Sequence, residues 1–301
     1  MKTLKYILVA LFAAFSMISC EDLVVENLND PDFKTAFSNP SDIKGVAGGM
    51  LNTWFQVTQE YDGPGLALWV TADAGTCSHG NAGMRVFGNE PRLEFNNKPS
   101  YTDAIITENY YNTLYSVVSQ ANDVLAQTEL NDVKMEDGST DMVRAMAYFM
   151  HGLSLGYIGL LYDKGFIVTH ETDLTFDLET SPYKDVIAAA VKSLDEAIAI
   201  SKASTFTIPP EWLPGEPWSN IEFAQLASSF AARLLVFSAR NKTDDNATDW
   251  NKVYTYAKNG IQKDFAPLAD DITWYSLYQT YSVYAGWGFI DMYVIDRKSV
   301  V

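Results

Sequence analysis

The chain has 301 residues, of which 48% are hydrophobic, and its formal net charge is −17. The hydrophobic fraction is typical of a globular protein, and the length suits one large domain or two small ones. Because phosphate contacts need lysine and arginine, the acidic excess argues against a nucleic-acid partner and against attraction to anionic lipid. The aromatic residues, 17 Tyr, 16 Phe and 7 Trp, would also suit neutral, hydroxyl-rich ligands such as sugars.

Residues 1–19 have the layout of a secretory signal peptide, with a basic start, an apolar run over residues 6–15 and mostly small residues after it. The run is shorter than the roughly 20 residues that a membrane-spanning helix needs. Ile18-Ser19-Cys20 resembles a bacterial lipobox, in which the cysteine is acylated and becomes the first mature residue. We therefore predict lipidation of Cys20. An ordinary signal peptide with an incidental cysteine is the alternative.

Residues 20–40 are predicted to be a lipidated tether. Glu21 and Asp22 resemble the acidic export tag that directs some lipoproteins to the outer face of the outer membrane. Acyl chains hold a soluble domain on a membrane without a spanning helix, since each buried methylene contributes roughly 0.8 kcal/mol. With Cys20 acylated, Cys77 has no partner, and we expect it to be a buried or inert thiol.

Beyond the tether, apolar residues recur three and four positions apart, which predicts helices. They are expected over 41–60, 101–130, 140–161, 182–201, 220–240 and 248–263. Ser181 and Pro182 are the expected cap and first residue of the fourth helix. The third helix contains Gly152, Gly156 and Gly159, which predict that another element packs closely against it.

Strand signals are scarce, although short hairpins remain possible in the stretches 61–100, 163–182 and 203–219, where the helical pattern stops. The last two predicted helices have small residues where two helices must approach, as in a tetratricopeptide-like unit. One such pair cannot bury its own apolar faces, so several must stack. The predicted fold is therefore all-α, a helical-repeat scaffold with long irregular loop insertions.

The order of the segments resembles the RagB/SusD family of outer-membrane nutrient-binding lipoproteins. The resemblance covers most of residues 15–265. It starts with the lipobox and its acidic residues, followed by NLNDPD, NPSDIKGVAGGMLNTW and a TADA segment. It continues with YYNTLYSVVSQANDVL, RAMAYFMHGLSLGYIGLLYDKG and the pair AARLLVFSARN and DWNKVYTYAKNGI.

The resemblance implies a tetratricopeptide-like scaffold, lipid-anchored and exposed at the outer membrane, that packs on a SusC-like TonB-dependent transporter. Loop insertions on such scaffolds bind the nutrient, typically a glycan and sometimes a peptide. Family chains usually run well past the position of Val301. We therefore expect residues 41–301 to be the N-terminal portion of a SusD-like domain, from a truncated gene or a fragment.

The resemblance also places the first half of the ligand site in the stretch 61–100. Proteins bind sugars by stacking aromatic faces on them and by pairing planar polar groups with their hydroxyls. The polar candidates are Asp73, Asn81, Arg85 and Asn96, and the aromatic candidates are Trp69, Phe87 and Phe95. Alternatively, Asp73 caps a helix or turn, Arg85 pairs with Glu90 or Glu94, and the aromatic residues anchor the loop.

A second aromatic cluster lies near the carboxyl terminus. Its members are Trp274, Tyr275, Tyr278, Tyr281, Tyr284 and Trp287. They could form another ligand platform, but the three-residue spacing equally fits a helix stripe that packs in the core or docks on the transporter.

The sequence gives little support for a metal site, a cofactor site or a catalytic function. His79, His151 and His170 are far apart, and Cys77-Ser78-His79 lacks the paired spacing of a metal site, so neither metal nor cofactor is expected. The leading hypothesis is a non-catalytic glycan-binding lipoprotein. One alternative is an all-α glycoside hydrolase, which needs two carboxylates facing each other across a cleft. The other is a helical-repeat scaffold for protein partners only.

Overall fold

The computed structural model of the protein describes Phe37 and residues 39–78, 80, 83–215, 217–284 and 286–298. The described residues from Asn39 onward belong to one compact unit. The predicted signal peptide, Cys20 and almost all of the predicted tether lie outside the described residues, so the lipid anchor stays a prediction. His79 and Asn81 also lie outside them.

Within these ranges, the chain forms eleven α-helices. They are α1 (Pro40–Thr58), α2 (Pro64–Thr71), α3 (Met84–Gly88), α4 (Ile105–Leu125), α5 (Thr140–Leu161), α6 (Tyr183–Ala203), α7 (Asn220–Phe237), α8 (Lys242–Ala247), α9 (Trp250–Lys258), α10 (Leu277–Val283) and α11 (Met292–Lys298). A π-helical turn, Ala126–Leu130, extends α4. All six predicted helices are confirmed, and the all-α prediction with them. No helix of the described residues is both long and apolar enough to cross a membrane.

Side chains cap several of these helices. Asn39 accepts a hydrogen bond from the backbone N–H of Asp42 at 3.0 Å, and Ser219 and Glu222 form a reciprocal capping box at the start of α7. The predicted start of α6 is wrong by one residue. Pro182 has an extended backbone because it belongs to a short strand, so the helix begins at Tyr183.

The long helices pack in chain order, α1 on α4, α4 on α5, α5 on α6, α6 on α7 and α7 on α9. The α5 helix also contacts α1 and α7, so it lies at the centre of the scaffold. Its predicted close packing is confirmed. A Cβ on Gly152 would lie 2.7 Å from the carbonyl oxygen of Ala190, and one on Gly156 would collide with Leu234.

The described strands form three two-stranded antiparallel sheets. Strand β2 (Lys164–Gly165) pairs with β3 (Ser181–Pro182), and β4 (Thr207–Ile208) pairs with β5 (Trp218–Ser219). In the stretches 163–182 and 203–219, these pairings bring the two ends of each stretch together. The third sheet is long-range, because β1 (Gly75–Cys77) pairs with β6 (Gly288–Ile290). The sequence analysis did not predict this last pairing.

Candidate ligand-binding surface

The stretch 61–100 is more ordered than an irregular loop, since it contains α2, β1 and α3. These elements surround a small apolar cluster, called here the insertion core. Its members are Leu66, Val70, Cys77, Met84, Phe87, Ile106 and Tyr281. Because Tyr281 comes from α10, the insertion is closed by a segment from the other end of the described chain.

Most of the carboxyl-terminal aromatic cluster packs inward. Tyr281 is only 1% exposed and stacks on Tyr61, with ring centroids 6.0 Å apart. Tyr278 and Trp287 pack against the insertion core, whereas Tyr284 is 57% exposed. Core packing therefore accounts for the cluster better than a second ligand platform does.

Cys77 is buried in the insertion core and is not in a disulfide. Burial raises the pKa of its thiol, which keeps the less nucleophilic protonated form. The prediction of a buried thiol is confirmed.

Asp73 lies just after the end of α2, in the left-handed backbone region with a φ of 54°. Its N–H donates to the carbonyl of Val70, and the N–H of Ala74 donates to that of Trp69, both at 3.2 Å. These two bonds form a Schellman motif, which ends a helix with one left-handed residue. Asp73 therefore has the turn-forming role that the sequence analysis gave as the alternative to ligand binding.

The carboxylate of Asp73 forms an ion pair with Arg92. Arg92 also donates to the carbonyl of Thr71 at 2.8 Å, so it ties the segment after α3 to the end of α2. Sequence reasoning missed Arg92, because the 19-residue separation from Asp73 corresponds to no local period. Trp69 is half-buried against the insertion core, and its indole leaves no room for a side chain at Gly75.

The other candidates divide into exposed and buried groups. Arg85 and Asn96 are exposed. Arg85 makes no ion pair with any described residue, so its pairing with Glu90 or Glu94, given above as the alternative to ligand binding, is not seen. Phe87 is buried, and its ring centroid lies 6.1 Å from that of Phe95. Phe95 is 39% exposed and also contacts Tyr101.

The exposed candidates in the stretch 61–100 are residue types that can contact sugars. The Arg85 guanidinium and the Asn96 amide are planar and unburied, and Phe95 exposes part of an aromatic ring. The Asp73–Arg92 pair is also partly open to solvent. A guanidinium or amide can pair with hydroxyl groups, and a ring can stack on C–H faces. The role of each residue in binding stays a prediction.

A separate cavity of about 210 Å³, called here the Asp123 cavity, lies between α4 and residues 168–174. Its lining residues include Asn122, Asp123 and His170. Burial raises the pKa of Asp123 to about 6. His170 lies 3.2 Å from a carboxylate oxygen of Glu129.

His151 is buried beside this cavity and has two hydrogen-bond partners. Its Nδ1 lies 2.8 Å from the Ser193 hydroxyl, and its Nε2 lies 2.8 Å from the carbonyl oxygen of Val168. Burial lowers its pKa, so the ring is neutral and structural. No group of three or more potential metal-ligating side chains occurs among the described residues.

An aromatic-walled cavity of about 270 Å³ lies among α1, α5 and α7. Trp54, Tyr157 and Phe230 contribute to its walls, and Arg233 is the charged residue of its lining. Neither this cavity nor the Asp123 cavity has two carboxylates in its described lining. The pair that glycoside hydrolysis requires is therefore not found in either of them.

Substitution Asp123→Asn is expected to raise the free energy of unfolding at pH 7 and to change it little at pH 3.5. The unfolded carboxyl ionises near pH 3.8, whereas the folded one stays protonated up to about pH 6. Ionisation of Asp123 therefore lowers the free energy of unfolding as the pH rises from the unfolded to the folded pKa. At higher pH the full decrease remains. Allowing for partial exposure, we expect a gain of about 1–2 kcal/mol at pH 7.

Urea unfolding of both proteins at the two pH values measures this difference. Glu196→Gln is the control, since Glu196 is an exposed carboxylate away from the ends of α6. Equal stabilisation by Asp123→Asn at both pH values would contradict the assigned titration.

No protein-family model matches the sequence, and no curated protein matches it either. Solved structures do match. A SusD/RagB family protein from Bacteroides thetaiotaomicron VPI-5482 is 16% identical with a TM-score of 0.55, and the match covers 81% of this chain and 49% of that one.

Two further matches have lower TM-scores. A SusD-like carbohydrate-binding protein from Bacteroides vulgatus ATCC 8482 is 14% identical, with a TM-score of 0.48 and coverage of 77% and 46% of the two chains. A laminarin-binding SusD-like protein is 16% identical, with a TM-score of 0.44 and coverage of 67% and 41%. The chain thus spans about half the length, or less, of the structures that it matches. The match with the TM-score of 0.55 shows that the described residues have the helical fold of a SusD/RagB family protein.

Proposed function

We propose that this chain is a non-catalytic, surface-exposed lipoprotein of the outer membrane that binds glycan. It would present the glycan to a SusC-like TonB-dependent transporter. The observation that carries the proposal is the SusD/RagB fold, and it is supported by a sequence before Cys20 that resembles a lipobox. Because one fold can host several functions, the exposed residues, and not the fold, indicate the class of ligand.

The surface around α2 and α3 supports a neutral, hydroxyl-rich ligand. It offers Arg85 and Asn96 to hydroxyl groups and Phe95 to a sugar face, while the protein as a whole is strongly acidic. A polyanionic ligand would be repelled by that net charge. A neutral glycan would not be repelled, and the shape of the insertion would determine which glycan the protein binds.

Arg85→Gln is expected to weaken glycan binding by about 1–3 kcal/mol, because a hydrogen bond from a charged donor to the ligand is lost. Affinity electrophoresis against a polysaccharide panel identifies the ligand, and calorimetry then measures the affinities. Lys192→Gln on α6 removes the same charge from another exposed position and should leave affinity unchanged. Equal affinities of the wild type and Arg85→Gln would remove Arg85 from the site.

The same experiment separates the three functions. Binding with no release of reducing ends is the expected result. Release of reducing ends would support the hydrolase instead, and the absence of both signals would support a scaffold for protein partners.

The substitutions Asp73→Asn and Arg92→Gln each break the ion pair between these two residues. If both variants lose the same glycan affinity, the ion pair acts by shaping the surface and not by contacting the ligand.

Cys20→Ala is expected to abolish acylation and to move the protein from the membrane fraction to the soluble fraction. The acyl chains on Cys20 are the proposed means of membrane attachment, and their loss removes that contribution to membrane binding. Metabolic labelling with a clickable palmitate analogue, followed by fractionation, measures both effects. Cys77→Ala is the control and should keep label and location, because Cys77 is buried. A wild-type protein without label would overturn the anchor.

A further inference from the structure

The aromatic-walled cavity among α1, α5 and α7 has apolar walls that keep surface open to a ligand. Five aromatic residues of its lining are only half-buried, namely Trp54, Phe55, Tyr157, Phe230 and Phe265. An apolar group that filled the cavity would remove apolar surface from water. A concave, mainly apolar site with few polar groups is the usual form of a small-molecule site.

Contacts between aromatic rings fix these walls in place. The Trp54 ring meets those of Tyr157 and Phe230 edge to face, with centroids 5.0 and 6.5 Å apart. The Phe55 ring makes the same kind of contact with Trp274, at 5.2 Å. Because Trp54, Tyr157 and Phe230 belong to three long helices that pack on one another, the cavity is part of the scaffold and not of a loop.

The cationic group of the cavity is Arg233, which stands at its rim. Leu226, Phe230 and Arg233 are four and three residues apart, so they lie on one face of α7. Arg233 is exposed, so the cavity reaches solvent beside it. The guanidinium lies 5.0 Å from the centroid of the Phe237 ring and hydrogen-bonds with the side chain of Tyr157. Since Tyr157 also lines the cavity, these contacts keep the guanidinium at the cavity wall.

No described carboxylate neutralises Arg233. It forms no ion pair with any described residue, and the described lining of the cavity contains neither Asp nor Glu. Its contacts with Phe237 and Tyr157 are with uncharged aromatic side chains. A guanidinium has five N–H donors in a planar fork that matches the two oxygens of a carboxylate. The rim therefore offers a positive charge and hydrogen-bond donors next to an apolar cavity.

We propose that this cavity binds a small aromatic carboxylate, with its ring between the aromatic walls and its carboxylate paired with Arg233. The ring gains contacts with the aromatic side chains beyond the burial of area, and the ion pair is charge-assisted. The volume of about 270 Å³ admits one ring with a short side chain and not a polymer.

The acidic character of the protein opposes this ligand only weakly. A single carboxylate carries one charge, and salt screens exposed charges that lie farther away than about 8–10 Å. Arg233, in contrast, contacts the ligand directly. The inference is independent of glycan binding, which concerns the stretch 61–100.

Calorimetric titration with phenylacetate tests the proposal, with phenylacetamide as the neutral probe of the same shape and acetate as the probe without a ring. We expect saturable one-to-one binding of phenylacetate with a dissociation constant on the order of 1 mM. Phenylacetamide should bind about tenfold more weakly or less, because it lacks the charge. Acetate should show no saturable binding, because it cannot use the aromatic walls.

Arg233→Gln should lower the phenylacetate affinity by about tenfold or more and should change the phenylacetamide affinity much less. Lys192→Gln is the control, since it removes the same charge from an exposed position on α6, and it should bind phenylacetate like the wild type. Arg233→Gln is expected to fold, because Arg233 is exposed and pairs with no described carboxylate. The comparison of the three probes on the wild type needs no variant.

A lack of saturable phenylacetate binding by the wild type would overturn the proposal. Equal affinities for phenylacetate and phenylacetamide would also overturn it, as would wild-type affinity in Arg233→Gln. Acetate that bound as tightly as phenylacetate would show that an exposed arginine binds anions without the cavity, which would equally overturn it. None of these results bears on the glycan titration, so the two proposals can fail separately.

Discussion

The burial of Tyr281 joins two parts of the chain that are far apart in sequence. Its ring lies in the insertion core with residues of α2, β1 and α3, and the neighbouring strand β6 pairs with β1. Helices α2 and α3 have only eight and five residues, which is too short for stability in isolation. The exposed groups of the candidate surface, Arg85 above all, therefore depend on this long-range packing for their positions.

The scaffold supplies the rigid base for that surface. Glycines on α5 let α6 and α7 approach its backbone, and α4 packs on both α1 and α5. Ile106 connects the insertion core to this scaffold. It is a member of the insertion core and also a buried residue of α4. Binding groups that stand on packed elements keep their geometry better than groups on free loops. An ordered insertion on a helical stack is a suitable arrangement for capturing a ligand of defined shape.

Local patterns in the sequence predicted most of the scaffold. The three- and four-residue spacing gave all six long helices, and the glycines of α5 predicted close packing, because both signals depend on neighbours along one helix. The pairing of β1 with β6 and of Asp73 with Arg92 left no such signal, since each joins residues without a common period. The roles of Arg85, Asn96 and Phe95 in binding depend on a ligand, which neither the sequence nor the fold specifies.

Hydrogen exchange of Tyr281→Ala tests most directly whether this packing orders the insertion. Truncation of a buried aromatic side chain typically costs about 3–5 kcal/mol, so amides of α2 and β1 should lose protection while those of α5 keep it. Tyr284→Ala is the matched control, because Tyr284 lies three residues away and is largely exposed. Unchanged protection in α2 and β1 of Tyr281→Ala, or an equal loss in Tyr284→Ala, would contradict the account.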